Sequence, residues 1–190
     1  MKLPNRGAMM YTVDTRPPEP MLLSEYQSSR GIVHGQDYIF IQPKLNGWRC
    51  TVNTATGQMY SRYGNQITLP HISRDVMTRP GRLPLWLDGE LYIRGGTDAT
   101  AHSGITRQDE AIKFYCFDAI TDGLFSERLD VINRLPETEP VRIVQTYKIT
   151  PDEIFYFYNQ YLNMGLEGAV IRLDREYQHG RSGNIFKLKP

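Results

Sequence analysis

Charged side chains recur inside segments that otherwise have the composition of β-strands. Residues 87–91 read Leu-Asp-Gly-Glu-Leu, and residues 187–189 read Lys-Leu-Lys. Because successive side chains of a strand point to opposite faces, Asp88 and Glu90 should share one face, and Lys187 and Lys189 should share another. Cations neutralise phosphate oxygens and carboxylates hold Mg²⁺, so this mixture suits a nucleoside polyphosphate with a divalent metal.

Lys44 is the candidate nucleophile, within the turn-forming run Pro-Lys-Leu-Asn-Gly at residues 43–47. A free lysine has a pKa of about 10.4, so its amine is about three units from being uncharged at pH 7. Like charges disfavour an ammonium group, so we expect Arg172, Lys187, Lys189 and a metal to favour the neutral amine. The neutral amine could then attack an α-phosphate. Taken alone, a lysine in a turn is usually a solvated surface group.

Composition and the missing motifs exclude several classes of protein. The sequence has no Gly-Lys dipeptide and no Gly-x-Gly, which excludes a P-loop, a dinucleotide fingerprint and a kinase glycine loop. The net charge of +1 excludes a polybasic protein but allows a local basic cleft. Neither a signal peptide nor the roughly 18 apolar residues of a membrane helix are found, so we expect a cytoplasmic protein without a membrane partner.

The length of 190 residues, with 40% apolar and 23% charged residues, predicts one globular domain. Its four early prolines predict an extended lead-in over residues 1–20, followed by a short helix over 21–30. Strands are predicted over 38–42, 48–53, 58–62, 85–93, 113–120, 142–149, 168–173 and 185–189.

Three further helices are predicted, over 71–78, over 126–135 with Ser126 as N-cap, and over 151–164. Residues 95–104 are predicted to form a polar loop. Strands with interspersed helices, often linked as hairpins, indicate an α+β fold with antiparallel sheets.

Six short elements together resemble the motifs of the covalent nucleotidyltransferases, and above all those of the ATP-dependent DNA ligases. The family motifs are KxDGxR, SRxG, DGEL, an aromatic motif ending in Phe-Asp, EGxxxR and KxK. The matching segments are 44–49, 61–64, 88–91, 114–118, 167–172 and 187–189. They occur in the family order and span the chain from about residue 36 to residue 190.

The resemblance implies that residues 1–190 are an adenylation domain with an ATP-grasp-like nucleotidyltransferase fold. This fold is α+β, with two antiparallel β-sheets, flanking helices and a nucleotide pocket between the sheets. The family continues into a C-terminal OB-fold domain, and we expect that domain to be absent from these 190 residues.

The resemblance also implies a role for each site residue. Lys44 would be linked to AMP through a phosphoramidate. The nucleotide-binding residues would be Gln42 at the amino edge of adenine, Phe117 stacked on the base, Arg49 and Glu90 at the ribose, Lys187 and Lys189 at the α-phosphate, and Leu45 and Glu167. Arg62 would hold the 5′-phosphate of a nick, and Arg49 would also contact the nick. Glu167 would bind a metal, with Asp88 in support.

The expected co-substrate is ATP, with Mg²⁺ or alternatively Mn²⁺, and the expected partner is nicked double-stranded DNA. We expect a monomer in the cytoplasm of a bacterial or virus-infected cell. Asn46 replaces the usual Asp of the first motif, which shifts the prediction slightly towards an RNA ligase. Two more classes of protein compete with a DNA ligase: a capping guanylyltransferase, and a nucleotide- or nucleic-acid-binding module without catalysis.

Overall fold

A computed structural model describes residues 16–79 and 84–190. The strands of these ranges are, in chain order, β1 (Met21–Glu25), β2 (Ile39–Lys44), β3 (Trp48–Asn53), β4 (Met59–Ser61), β5 (Gln66–Ile67), β6 (Trp86–Tyr92), β7 (Lys113–Ala119), β8 (Val141–Ile143), β9 (Tyr147–Ile149), β10 (Gly168–Arg172) and β11 (Gly180–Leu188). Their α-helices are α1 (Arg30–His34), α2 (Pro70–Met77), α3 (Asp98–Arg107), α4 (Phe125–Asn133) and α5 (Ile154–Asn163). None of these helices has the length and hydropathy needed to span a membrane. Residues 1–15 of the predicted lead-in lie outside the described ranges.

The strands form two sheets, which confirms the α+β prediction. The first sheet has the order β1-β11-β10-β2-β9, and the second has the order β5-β4-β3-β6-β7-β8. Most neighbours are antiparallel, but β1 pairs with β11 and β7 pairs with β8 in parallel. The predicted antiparallel pairing therefore holds for all neighbouring strands except one pair at an edge of each sheet. Parallel neighbours need a crossover connection, and α4 lies in the connection between β7 and β8.

The first sheet has one face in an apolar core and the other face in the cleft between the sheets. Ile41, Ala169 and Ile171 are fully buried in the cluster that includes Ile154 and Tyr161 of α5. Along β10, Ala169 and Ile171 alternate with Val170 and Arg172, which line a pocket between the sheets. This is the alternation of faces that a strand with one buried face requires.

The second sheet carries the larger core. Its buried members include Cys50, Leu87 and Phe114 from the strands and Phe125 from α4. Phe40 of the first sheet reaches this core and meets Phe125 with ring centroids 5.1 Å apart. The two sheets are therefore packed against each other beside the cleft.

The first predicted helix is wrong. Residues 21–25 form the edge strand β1, and only Arg30–His34 is α-helical. A helix of this length is marginal on its own, so pairing with β11 decides the conformation.

The predicted loop at 95–104 is also wrong. Residues 98–107 form α3, and the Thr97 side chain caps it by accepting the backbone N–H of Thr100. The helix ends at Gln108, which has a left-handed φ of 55°.

Two other predictions need correction near the cleft. The strand predicted over 142–149 is split, because β8 belongs to the second sheet and β9 to the first. The helix predicted from Ser126 starts instead after Leu124. Ser126 donates its backbone N–H and its hydroxyl to Asp174 across the structure.

Candidate active site

Lys44 lies at the point where the chain passes from one sheet to the other. It is the last residue of β2, and β3 begins in the second sheet four residues later at Trp48. The connection needs Gly47, because a Cβ there would lie 2.3 Å from the carbonyl oxygen of Leu91. The crossing therefore carries the lysine into the space between the sheets.

Two connected pockets occupy this space. The smaller contains about 380 Å³ of empty space and the larger about 1380 Å³. Of the predicted site residues, the smaller pocket alone is lined by Gln42 and Phe117. Both pockets are lined by Lys44, Leu45, Arg49 and Glu90. The larger alone is lined by Arg62, Glu167, Lys187 and Lys189.

Lys44 and Lys189 share the carboxylate of Glu167. Lys44 Nζ donates to Oε2 at 2.5 Å and Lys189 Nζ donates to Oε1 at 2.6 Å. Burial raises the pKa of Glu167, but hydrogen bonds from Lys189 and Lys44 outweigh it, and the net shift is downward. A carboxylate thus contacts Nζ of Lys44 directly, whereas the sequence-based expectation for the amine considered only neighbouring cations and a metal.

The backbone around this ion pair is closely packed. Glu167 donates its N–H to the carbonyl of Lys44 at 3.1 Å. Gly168 follows with φ +147°, and a Cβ at this residue would lie 2.1 Å from the carbonyl oxygen of Leu188. The glycine of the EGxxxR element therefore allows three strands to bring Lys44, Glu167 and Lys189 together.

Lys187 also has an acidic partner that the sequence did not reveal. Its Nζ lies 2.8 Å from Oε1 of Glu25, at the end of β1. Both residues line the larger pocket. Glu25 fell within the segment predicted as a helix, so its position beside β11 could not be foreseen.

Asp88 lines neither of these two pockets, and its supporting role at a metal stays a prediction. Its side chain is fully buried, and both of its oxygens accept hydrogen bonds from Arg49, at 2.7 and 2.6 Å. The hydroxyl of Tyr177 donates to Oδ2 at 2.6 Å. Burial raises the pKa of Tyr177 well above its usual value, and Asp88 adds to the shift. Asp88 therefore orients Arg49.

Glu90 faces the cleft beside Arg49. The two residues are directly paired across β3 and β6. Burial raises the pKa of Glu90 to about 7, although Arg49, Lys44 and a hydrogen bond with the Gly47 backbone act in the opposite direction. Glu90 is thus a carboxyl group that titrates near neutral pH.

Phe117 forms a wall of the smaller pocket, with cations close to its ring. The guanidinium carbon of Arg49 is 4.6 Å from the ring centroid, and that of Arg172 is 5.2 Å away. Cation–π attraction of this kind favours a fixed ring position. The ring is half-buried, so part of it is available to a planar ligand.

The side chain of Gln42 is nearly fully buried at the smaller pocket. It contacts Arg172 and Thr146, of which Thr146 lies outside all six motifs. Arg172 is held in turn by Asp118, which also accepts from Arg128. This buried network connects the first sheet to the second.

Arg62 is exposed at the edge of the larger pocket, where its guanidinium carbon lies 4.6 Å from the ring centroid of Tyr63. Arg181 lines the same pocket. Together with the lysines, these side chains give the pocket the cations that a polyanion requires.

The larger pocket offers carboxylates to a divalent metal, but the described residues do not provide a complete set of protein ligands. Within residues 16–79 and 84–190, no group of three or more His, Cys, Asp or Glu side chains is placed to hold a metal. Mg²⁺ commonly uses one or two carboxylates together with substrate phosphates. Glu167 and Glu90 both line the larger pocket, so the residues present fit that mode.

Comparison with known proteins identifies one family. The model of the family described as ATP dependent DNA ligase domain matches residues 20–189. A comparison with curated protein sequences found no match.

Three solved structures show the same fold. The Chlorella virus DNA ligase-adenylate has 25% identity and a TM-score of 0.71, over 90% of this chain and 68% of that one. The ATP-dependent DNA ligase of bacteriophage T7, solved in complex with ATP, has 16% identity and a TM-score of 0.65, over 93% of this chain and 69% of that one. A mycobacterial DNA ligase D complexed with ATP has 19% identity and a TM-score of 0.68, over 93% of this chain and 62% of that one.

Proposed function

The chain belongs to the ATP-dependent DNA ligase domain family, and from this premise we propose that it forms a covalent lysyl-AMP intermediate on Lys44. It then transfers the AMP to the 5′-phosphate of a nick in double-stranded DNA. The observation that carries the proposal is the position of Lys44 at the junction of the two pockets. The smaller pocket has an aromatic wall for a base, and the larger has the cations that phosphates require.

In the first step, Nζ of Lys44 attacks the α-phosphorus of ATP. A P–N bond forms, the bond from the α-phosphorus to the bridging oxygen breaks, and pyrophosphate leaves. The ammonium must first give up a proton, which the carboxylate of Glu167 at 2.5 Å is placed to accept, and the amine must then separate from Glu167. Lys187 and Lys189 line the pocket that would hold the phosphates, where they would offset the charge that develops on phosphate oxygens.

Glu167 is the principal residue that would hold Mg²⁺, together with phosphate oxygens of the substrate. The bound ion would neutralise negative charge at the α-phosphate. The chain itself would orient the nucleotide, with the base against Phe117 and the ribose near Arg49 and Glu90. Mg²⁺ and these contacts stay predictions.

In the second step, an oxygen of the DNA 5′-phosphate attacks the same phosphorus. The P–N bond breaks, Lys44 regains its amine, and AMP becomes linked to the DNA through a pyrophosphate bond. In the third step, the 3′-OH across the nick attacks the 5′-phosphate and AMP leaves. Arg62, exposed at the edge of the larger pocket, is proposed to bind the 5′-phosphate.

The chain spans 62–69% of the three solved ligases described above. Complete nick sealing is therefore a proposal for the protein as a whole. We expect these 190 residues to self-adenylate slowly and to seal nicks weakly, and to act as a monomer.

The test uses ATP radiolabelled at the α-phosphate, which stays with the AMP group, and a nicked duplex with either a 5′-phosphate or a 5′-hydroxyl. We expect label on the protein first, and then on the phosphorylated strand but not on the hydroxyl strand. A nicked RNA duplex serves as the comparison substrate, because the 2′-OH distinguishes the two polymers. Tight ATP binding without any label on protein or DNA would contradict the proposal and favour a non-catalytic binding module.

A further inference from the structure

The amide of Gln42 is held on both sides. Its Oε1 accepts from Nε of Arg172 at 2.7 Å. Its Nε2 donates to Oγ1 of Thr146 at 2.8 Å and to the backbone carbonyl of Phe117 at 3.2 Å. Only 2% of the residue is exposed, and it lies at the wall of the smaller pocket.

The chemistry of its partners determines which way this amide points. A guanidinium has donors only, so the amide atom that faces Arg172 must be the oxygen. The hydroxyl of Thr146 donates its proton to the carbonyl of Val144 at 3.1 Å, so it can only accept from Gln42. Arg172 is itself fixed, because its Nη1 donates to the fully buried Asp118 at 2.7 Å.

This orientation limits what Gln42 can offer to a purine. Both N–H groups of Nε2 are used within the protein, so only the second lone pair of Oε1 remains. The 6-position of adenine carries an amino donor, whereas that of guanine carries a carbonyl acceptor. A guanine placed against this oxygen would bring two acceptors together in a buried site, which is unfavourable.

We propose that Thr146 is a positioning residue that, together with Arg172, sets the Gln42 amide to select adenine over guanine nucleotides. The inference rests on the proposed function, because it assumes that the smaller pocket receives the base. Thr146 lies between β8 and β9, where the chain crosses from the second sheet to the first. A residue distant in sequence from the six motifs would thereby control the choice of nucleotide.

The experiment compares the wild type with Thr146→Val and Thr146→Ser. Valine keeps the shape of threonine but cannot accept a hydrogen bond, so one N–H of Gln42 loses its partner. The amide is then held by Arg172 and the Phe117 carbonyl alone, and it can turn this N–H towards a guanine carbonyl. Serine keeps the acceptor. The measured quantity is the ratio of the rate constants kcat/KM for self-labelling with ATP and with GTP. Thr106→Val is the matched control, since Thr106 is an exposed residue of α3.

We expect the wild type and Thr146→Ser to prefer ATP strongly, and Thr146→Val to lower the ATP-to-GTP ratio by about ten-fold. A merely structural role would lower labelling by both nucleotides equally and leave the ratio unchanged, which would overturn the inference. The proposed function would still stand if the wild type is labelled by ATP.

The ratio of the ATP and GTP dissociation constants, measured by equilibrium dialysis, reports the same discrimination without any reaction. Equal binding of the two nucleotides by the wild type would also overturn the inference, as would a Thr146→Val protein that keeps the wild-type ratio. A single cooperative melting transition for Thr146→Val is the check that the protein remains folded.

Discussion

The guanidinium of Arg49 donates to both carboxylate oxygens of Asp88, from Nε at 2.7 Å and from Nη2 at 2.6 Å. The pair joins neighbouring strands of the second sheet and holds Arg49 beside Phe117. A planar two-point contact of this kind fixes the direction of an arginine more firmly than a single hydrogen bond. The residue predicted to touch the ribose is therefore oriented before any ligand arrives.

Removal of Asp88 should be costly for stability. Asp88→Ala leaves Nε of Arg49 and the hydroxyl of Tyr177 without their buried acceptor, and Arg49 keeps only the Met21 carbonyl. We expect the free energy of unfolding to fall by about 3–5 kcal/mol. Asp109→Ala is the matched control. Asp109 forms a loose surface pair with Arg107 at 3.9 Å and one exposed hydrogen bond with the Ala111 N–H, so its removal should cost only about 1 kcal/mol. Urea denaturation measures both. Unchanged stability together with an altered Mg²⁺ requirement would instead restore the metal-supporting role that the sequence predicted for Asp88.

Glu90 should make stability depend on pH near neutrality. Burial raises its pKa in the folded protein to about 7, from an ordinary value of 4.5. The folded state therefore binds the carboxyl proton of Glu90 more tightly than the unfolded state does. The contribution of this proton to the free energy of unfolding is fully present below pH 4.5 and is lost as the pH rises to about 7. We expect the unfolding free energy of the wild type, relative to Glu90→Gln, to fall by roughly 2–3 kcal/mol between pH 4.5 and pH 8.

Urea melts of both proteins at several pH values provide this comparison. Other groups, including Glu167, titrate in both proteins, so their contributions cancel in the difference between the two unfolding free energies. A difference that is constant across this range, or that rises with pH, would contradict the assignment to Glu90.

Glu25 should compete with phosphate for Lys187. The ion pair of 2.8 Å partly neutralises a lysine of the larger pocket. We expect Glu25→Gln to tighten ATP binding about two- to five-fold at low salt, with a smaller effect at high salt. Calorimetric titration measures the dissociation constants, and Glu110→Gln in the exposed turn before β7 is the control. Weaker binding by Glu25→Gln would show instead that the pair positions Lys187 for its ligand.

Arg62 should contribute one phosphate contact to DNA binding. We expect Arg62→Ala to weaken binding of a nicked duplex and to reduce the slope of log K against log salt by about 0.9. Arg142→Ala, at the outer edge of the second sheet, should leave the slope unchanged. Binding isotherms at several salt concentrations provide the slopes, and equal slopes for Arg62→Ala and the wild type would remove Arg62 from the interface.

Much of the candidate site could be predicted because strand alternation and motif order are local properties of the sequence. Val170 and Arg172 face the cleft as alternation requires, and Leu188 is buried opposite Lys187. Every predicted site residue other than Asp88 lines one of the two pockets.

The errors arose where distant contacts decide the outcome. Met21–Glu25 is a strand because β11 lies beside it, and Glu25 reaches Lys187 only for that reason. The sequence pattern also could not show that Tyr177, 89 residues away from Asp88, shares the Asp88 carboxylate with Arg49. Thr146 carries no signal in the sequence, since its contact with Gln42 depends on the chain crossing between two sheets.

The central claim is that Nζ of Lys44 bonds to phosphorus. The most direct measurement is intact-mass analysis after incubation with ATP and Mg²⁺, followed by fragmentation to locate the added group. We expect the wild type to gain one AMP, located on Lys44, and Lys44→Arg to gain none while it still binds ATP. An AMP adduct on Lys44→Arg, or one located on Lys187 or Lys189 of the wild type, would contradict the account.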